Sequence, residues 1–234
     1  MYNSSFEKEL QEQASEFLKN NYLMVNGIAI YPKEIEVYYY APGQFEDDTV
    51  HGNKLQENNP NKFYVHRYGK EDDSPYKSSP NNNRGGCDFV ISEKNGVYHS
   101  YLIRSIVIDG ELVVGPRKSL NAITEKTGLS YEELEKAKVI VKPIEKSYDV
   151  FTTSRIGLGK PVNSDDACYR ETKLRFILCD EYFKQRDKNN VGYPKRTEAI
   201  DDFLRENIIS GSMTKEQAAK YSSEWYGAVS KEFK

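Results

Sequence analysis

The sequence predicts an α+β fold, a single domain in which a curved antiparallel β-sheet is flanked by helices. Three observations carry this. Hairpin-type dipeptides, Asn26-Gly27, Asn95-Gly96 and Asp109-Gly110, each join apolar or aromatic runs, as tight antiparallel turns require. One-sided helical stripes open and close the chain instead of alternating with strands, which separates it from a doubly wound sheet. The 234 residues show no internal repeat and suffice for one core.

The elements follow in order. Ser4 and Glu7 form a capping box, opening a helix with apolar positions Phe6, Leu10, Ala14, Phe17 and Leu18. Residues 22–31 read as a hairpin broken at Asn26-Gly27, and residues 34–40 as the next strand. Residues 41–61, rich in Gly, Pro, Asn and Asp, read as loop. Residues 62–68 form a short aromatic strand. Residues 69–86 hold almost nothing that could build a core and read as a partly mobile surface loop. A meander follows over 87–93, 97–108 and 111–114. Gly115-Pro116 opens a helix that Gly128 closes. Ser130 with Glu133 caps another, with Leu129 and Leu134 as its hydrophobic staple. Residues 139–142, 150–156 and 173–179 read as strands, and 197–208 and 214–233 as helices, the last capped by Thr214 and Gln217. The organisation is one α+β domain over 1–210 with a helical extension over 211–234.

Composition narrows the function classes. Apolar residues make up 38% and charged residues 29%, an ordinary water-facing composition, but eighteen Tyr stand against one Trp. The net charge of −3 lacks the overall basic surplus usual in nucleic-acid binders. Residues 84–160 are locally basic, with 12 Lys and Arg against 10 acids, so a basic face remains open. Cys87, Cys168 and Cys179 and the scattered His51, His66 and His99 have no metal-ligand spacing, so no metal is expected. Three cysteines without a disulfide pattern, a polar N-terminus and no apolar run of spanning length point to an intracellular, cytoplasmic protein with no membrane partner.

Several short motifs occur in a recognisable order: Glu36-Val37-Tyr38, Asp47-Asp48-Thr49-Val50-His51, Phe63 to Gly69, Leu102-Ile103-Arg104-Ser105, Gly115-Pro116-Arg117-Lys118-Ser119-Leu120, Arg155-Ile156-Gly157-Leu158 and Leu174-Arg175-Phe176. Their succession over residues 14–178 resembles the 3-methyladenine (alkyladenine) DNA glycosylase family of the mammalian type. The chain departs from that pattern in four ways. Its Glu36-to-His51 spacing is longer, the strand over 64–68 is one residue shorter, 69–86 is inserted, and 214–233 lies beyond the family's usual end.

The resemblance implies an alkyladenine DNA glycosylase-like fold. It also implies a monomeric, cofactor-free base-excision repair enzyme acting on double-stranded DNA with an alkylated or deaminated purine. Breaking an N-glycosidic bond passes through an oxocarbenium-like sugar, and a carboxylate near C1′ can activate water and stabilise that charge. By resemblance, Glu36 is that carboxylate and Arg104 lies beside it. On composition alone, Glu34 and Glu36 read equally as two solvated carboxylates on one strand face, and Arg104 as a structural ion pair. Tyr38 and His51 correspond to walls that stack on the flipped base, and the third wall falls on Tyr64 or His66. Asp88 stands where the family has a base-discriminating Asn, and Tyr68, before Gly69, where it has an intercalating residue. Two rival functions remain: a non-catalytic nucleic-acid or protein binder on the same scaffold, and a hydrolase of free nucleosides or nucleotides.

Overall fold

The computed structural model describes residues 3–77, 85–146, 148–161, 163–178, 204–205, 208–209, 211 and 213–226. Helix α1 (Ser4–Asn20) buries Leu10, Ala14, Phe17 and Leu18, the stripe its sequence marks out. Its cap is Asn3, whose side chain accepts from the Ser5 and Phe6 amides, and not Ser4. Asn3 takes that place because a side-chain oxygen one residue earlier already reaches the orphan amides of the first turn. Glu7 instead accepts from the Lys173 amide and from Gln11, tying the helix to the far end of the sheet.

The sheet is wholly antiparallel in its recorded pairings and curls into a half-barrel. β1 (Asn21–Val25) turns at Asn26 and Gly27, with φ of 48° and 80°, into β2. Two successive positive φ values are what this tight hairpin demands, and Asn-Gly meets them at least strain. β2 (Ile28–Ala41) is one strand of 14 residues, uniting the two shorter strands that the sequence suggests. Pro32, which has no amide to give, sits at the register shift inside it. β3 (Phe45–Glu46), β4 (Phe63–Val65), β5 (Cys87–Val90), β6 (Tyr98–Ile108) and β7 (Glu111–Val114) follow. After them come α2 (Pro116–Thr127), α3 (Tyr131–Lys136), β8 (Ile140–Pro143), β9 (Val150–Thr153), α4 (Cys168–Glu171), β10 (Arg175–Leu178) and α5 (Lys215–Tyr226).

The main path runs β4-β5-β6-β2-β1-β8, and β10 pairs with both β2 and β9. The expected capping boxes appear at Ser130/Glu133 and at Thr214/Gln217. The expected helix over 197–208 falls largely outside the described residues, as do residues 227–233 of the last one.

Register decides where the chemistry lies. Directly paired residues on neighbouring strands project to the same face. Tyr64 pairs with Asp88, Asp88 with Leu102, Leu102 with Glu36, and Glu36 with Arg175, so one row of five residues crosses five strands. The opposite face carries Ile35, Val37, Phe89, Tyr101, Ile103 and Phe176, which join the α1 stripe in the apolar core. Phe17 lies 5.6 Å from the Phe89 ring and 5.0 Å from that of Tyr101. A single sheet thus has an oily face under α1 and a polar face that water does not reach freely.

The segment after β4 is more ordered than its composition suggests. The Tyr68 amide donates to Pro75 O and the Lys77 amide to His66 O, folding residues 68–77 back as a hairpin-like flap. Tyr76 anchors it, with Arg67 over its ring and its hydroxyl donating to Glu135 at 2.8 Å. Within this expected loop one aromatic side chain with two polar partners does the docking, and residues 78–84 lie outside the described residues. Among the described residues, no helix is long and apolar enough to cross a membrane.

Candidate functional site

Glu36 is fully buried, and so is Glu34. The picture of two solvated carboxylates is thereby excluded. Burying a carboxylate without partners would cost several kcal/mol, and each has found them. Glu34 receives Arg104 Nε at 3.1 Å, Arg175 Nε and Nη2 each at 2.8 Å, and the Ser105 hydroxyl at 3.1 Å. Glu36 Oε1 receives Arg104 Nη1 at 3.1 Å and the Ile156 amide at 2.9 Å, and its Oε2 accepts from the Tyr38 hydroxyl at 3.1 Å. Arg104 is therefore an ion-pair residue and a neighbour of Glu36 at once, reconciling both readings of it.

Tyr38 carries this cluster outward. Its pairing partner across the sheet is Ser100. The Arg155 guanidinium packs over its ring, 4.8 Å from the centroid. Arg155 is itself held by Asp47 at 2.6 Å and donates to the Val37 and Tyr169 carbonyls at 3.1 and 2.7 Å. Burial, followed by the negative charge of Glu36, holds the Tyr38 phenol well above its ordinary value. Tyr38 consequently stays protonated and acts as a donor to Glu36.

A cleft of about 1090 Å³ opens over this point. Tyr38, His51, His66, Tyr68 and Asp88 all line it, together with Gln56, Lys77, Lys160, Arg170 and residues 157–159. Arg170 grips Asp48 at the rim, with Nη2 at 2.7 Å from the carboxylate. Lys77, Lys160 and Arg170 against Asp48 and Asp88 leave the lining mildly cationic in a chain that is acidic overall.

Two histidines stand in the cleft with opposite surroundings. His51 places Nε2 against the Lys77 ammonium and Nδ1 against the Tyr64 hydroxyl. An ammonium can only donate, so Nε2 accepts and Nδ1 carries the proton. Burial, then Lys77 and His66, push the His51 pKa down to about 4, so the ring is neutral at physiological pH. His66 instead directs Nε2 to Asp88 at 2.7 Å. Asp88 is almost fully buried and also receives Gln56 Nε2 at 2.8 Å and Ser100 Oγ at 2.9 Å. Burial works to raise the Asp88 pKa, but the charge and hydrogen bond of His66, with the Ser100 hydroxyl, outweigh it and hold the carboxyl below its ordinary value.

Most of the residues singled out from sequence thus meet. Of Tyr64 and His66, His66 lines the cleft, whereas Tyr64 has no exposed surface and lies behind His51 as its hydrogen-bond partner. Tyr68 is 59% exposed at the rim, where a wedge would have to stand. Asp88 reaches the cleft, and its oxygens meet Gln56, Ser100 and His66. Sequence reading gave no role to Arg155, Asp47, Gln56, Ser100 or Lys77. Arg155-Ile156-Gly157 was visible as a motif, but an amide donated from Ile156 leaves no trace in residue type. Among the described residues, no group of three His, Cys, Asp or Glu could hold a metal ion. Comparison with protein-family models and with curated proteins gives no match.

Proposed function

We propose that this protein is a base-excision DNA glycosylase of the alkyladenine type, hydrolysing the N-glycosidic bond of a damaged purine flipped out of duplex DNA. One observation carries the reading. Tyr38, His51, His66, Tyr68 and Asp88, picked out along 51 positions of sequence by an ordered set of motifs, line one cleft, and Glu36 is hydrogen-bonded to the wall of that cleft through Tyr38. The fold that accompanies this proposal is the glycosylase-like one, and the rest of the row is its support.

The residues divide the work as follows. The flipped base enters between Tyr38 and the two histidines, where aromatic faces recover part of the unstacking energy of a few kcal/mol. Tyr68 fills the gap in the duplex. A water beside Oε2 of Glu36, the oxygen that accepts from the Tyr38 hydroxyl, attacks C1′ as the N-glycosidic bond breaks and gives its proton to the carboxylate. Arg104 and the Ile156 amide hold Oε1, so the carboxylate cannot turn away. The cationic rim at Lys77, Lys160 and Arg170 faces the phosphates, and binding weakens as salt rises.

The test is incubation with duplexes carrying 7-methylguanine or hypoxanthine, followed by detection of abasic sites, with the corresponding free nucleosides in parallel. Release from duplex and not from nucleoside supports the proposal, and release from nucleoside alone replaces it with a nucleoside hydrolase. A second reading, a non-catalytic binder of nucleic acid, is favoured by one fact: Glu36 has no exposed surface. It predicts tight duplex binding with no abasic product.

A further inference from the structure

We propose a second activity for this cleft: Lys77 condenses with the aldehyde of an abasic deoxyribose and cuts the strand there by β-elimination. The inference rests on the glycosylase reading, whose product is that sugar, and adds a reaction, a nucleophile and a substrate class to it.

Lys77 enters the cleft from the flap over residues 68–77, and both ends of the residue are placed. Its backbone amide donates to His66 O at 2.8 Å, next to the antiparallel bridge between Arg67 and Tyr76. Tyr76, one residue earlier, is docked on Glu135 and packs against the Tyr131 ring at 5.4 Å. A flexible four-carbon stem is thus carried on a backbone with little freedom. At the far end Nζ meets His51 Nε2. His51 is neutral and turns Nδ1 to the Tyr64 hydroxyl. The lone pair of a neutral ring accepts from an amine as well as from an ammonium. This contact therefore survives loss of the proton that makes a lysine nucleophilic. The same flap carries Tyr68, exposed at the rim, whose amide donates to Pro75 O at 2.9 Å. With Tyr68 filling the gap in the duplex, the sugar that has lost its base lies between that wedge and the histidine wall, and Lys77 adjoins both. Among the described residues, the other lysine lining the cleft is Lys160. It is exposed at the rim, where Arg170 holds its carbonyl at 3.2 Å, whereas Lys77 is half-buried.

Loss of the base leaves a sugar that opens to a C1′ aldehyde, and a lysine amine forms Schiff bases with such carbonyls. After giving a proton to water, Nζ bonds to C1′ as the carbonyl electron pair moves onto oxygen, which leaves as water. The resulting iminium acidifies the C2′ proton. Solvent takes that proton, the C2′–H electrons form a C2′–C3′ double bond, and the 3′ phosphate leaves with the C3′–O pair. Water then adds at C1′ and releases Lys77 as its amine. Neither oxidant nor reductant is consumed, and the strand is cut on the 3′ side of the lost base.

The experiment uses the full chain and a duplex with one preformed abasic site, so that excision is not needed for the readout. Borohydride reduces an imine to a stable amine and joins protein to DNA. The unaltered protein gives a covalent complex whose DNA-bearing peptide maps to Lys77, and without borohydride it nicks the duplex. Lys77→Arg keeps the positive charge but has no primary amine at that position. It loses both the complex and the nick, scored per bound duplex, with thermal melting to establish that it is folded. A tetrahydrofuran analogue of the site, which has no aldehyde, gives no complex. Should Lys77→Arg not fold, the mapped peptide of the unaltered protein decides alone. No complex, a complex mapped to another residue, or an undiminished complex in Lys77→Arg overturns the proposal. Release of hypoxanthine or 7-methylguanine from lesion duplexes, measured alongside, then leaves the glycosylase reading standing. Trapping at Lys77 on the preformed site without release from either lesion duplex sustains the proposal and overturns that reading.

Discussion

Glu34 and Glu36 lie two residues apart on β2, are both fully buried, and share Arg104, yet they end in different places. Glu34 is closed in by two guanidiniums and the Ser105 hydroxyl, and none of those groups lines the cleft. Glu36 has one guanidinium, one backbone amide and one tyrosine hydroxyl, and that tyrosine forms the cleft wall. Burial and charge pairing do not separate the two. What separates them is where their hydrogen bonds lead. A buried acid held by partners that do not line the cleft ties the sheet together, whereas one whose partner opens on a cavity can exchange a proton with what binds there.

Substitutions can break or sharpen that contrast. The largest effect is expected in Glu36→Gln, which keeps the shape and loses the base: excision falls by about 10²–10⁴-fold, read in single-turnover assays, with duplex affinity retained. Glu34→Gln reverses the pattern. Arg175 loses the charge of Glu34 and Arg104 is left with that of Glu36, and unfolding in urea shows a loss on the order of 3–5 kcal/mol, with excision by the remaining folded fraction little changed. Tyr38→Phe removes one hydrogen bond to a charged group, worth about 1.5–3 kcal/mol. It slows excision by roughly tenfold or more and lowers the melting temperature by several degrees. Tyr68→Ala, at the exposed rim, weakens binding to duplex containing a lesion and leaves the melting temperature unchanged.

A pH series gives the most diffuse effect, spread over two histidines. Burial pushes His99 down to about 4, as burial with Lys77 and His66 does for His51. Both rings are neutral in the folded chain at pH values where they would be protonated in the unfolded one. The unfolded state therefore binds more protons between about 6.5 and 4, and stability declines as pH falls through that window. Urea midpoints measured between pH 7 and 4.5 check this, and His51→Gln reduces the slope.

Much of the fold was legible because local chemistry dictates it. Asn26-Gly27 and Asp109-Gly110 adopt the positive φ values their hairpins need, and Ser130/Glu133 forms its box. Residues 28–41 were harder, since Pro32 reads as a strand breaker yet sits at a register shift inside one continuous β2. The site was legible by order of motifs and not by residue type. Glu36, Tyr38 and His51 could be named, but the alignment of Tyr64, Asp88, Leu102, Glu36 and Arg175 in one row depends on pairings between strands far apart in sequence. For the same reason the pairing of Asp88 with His66 left no mark in the sequence. Tyr76 and Lys77 sit in a segment of loop composition, and only the fold brings one to Glu135 and the other to His51.

The most direct test of the account is abasic-site formation by the full chain and by Glu36→Gln on duplexes carrying hypoxanthine or 7-methylguanine, with affinity measured on the same duplexes. The account predicts abasic product from the unaltered protein, and duplex binding without product from Glu36→Gln. Undiminished product from Glu36→Gln, or no product from the unaltered protein on either duplex, would contradict it.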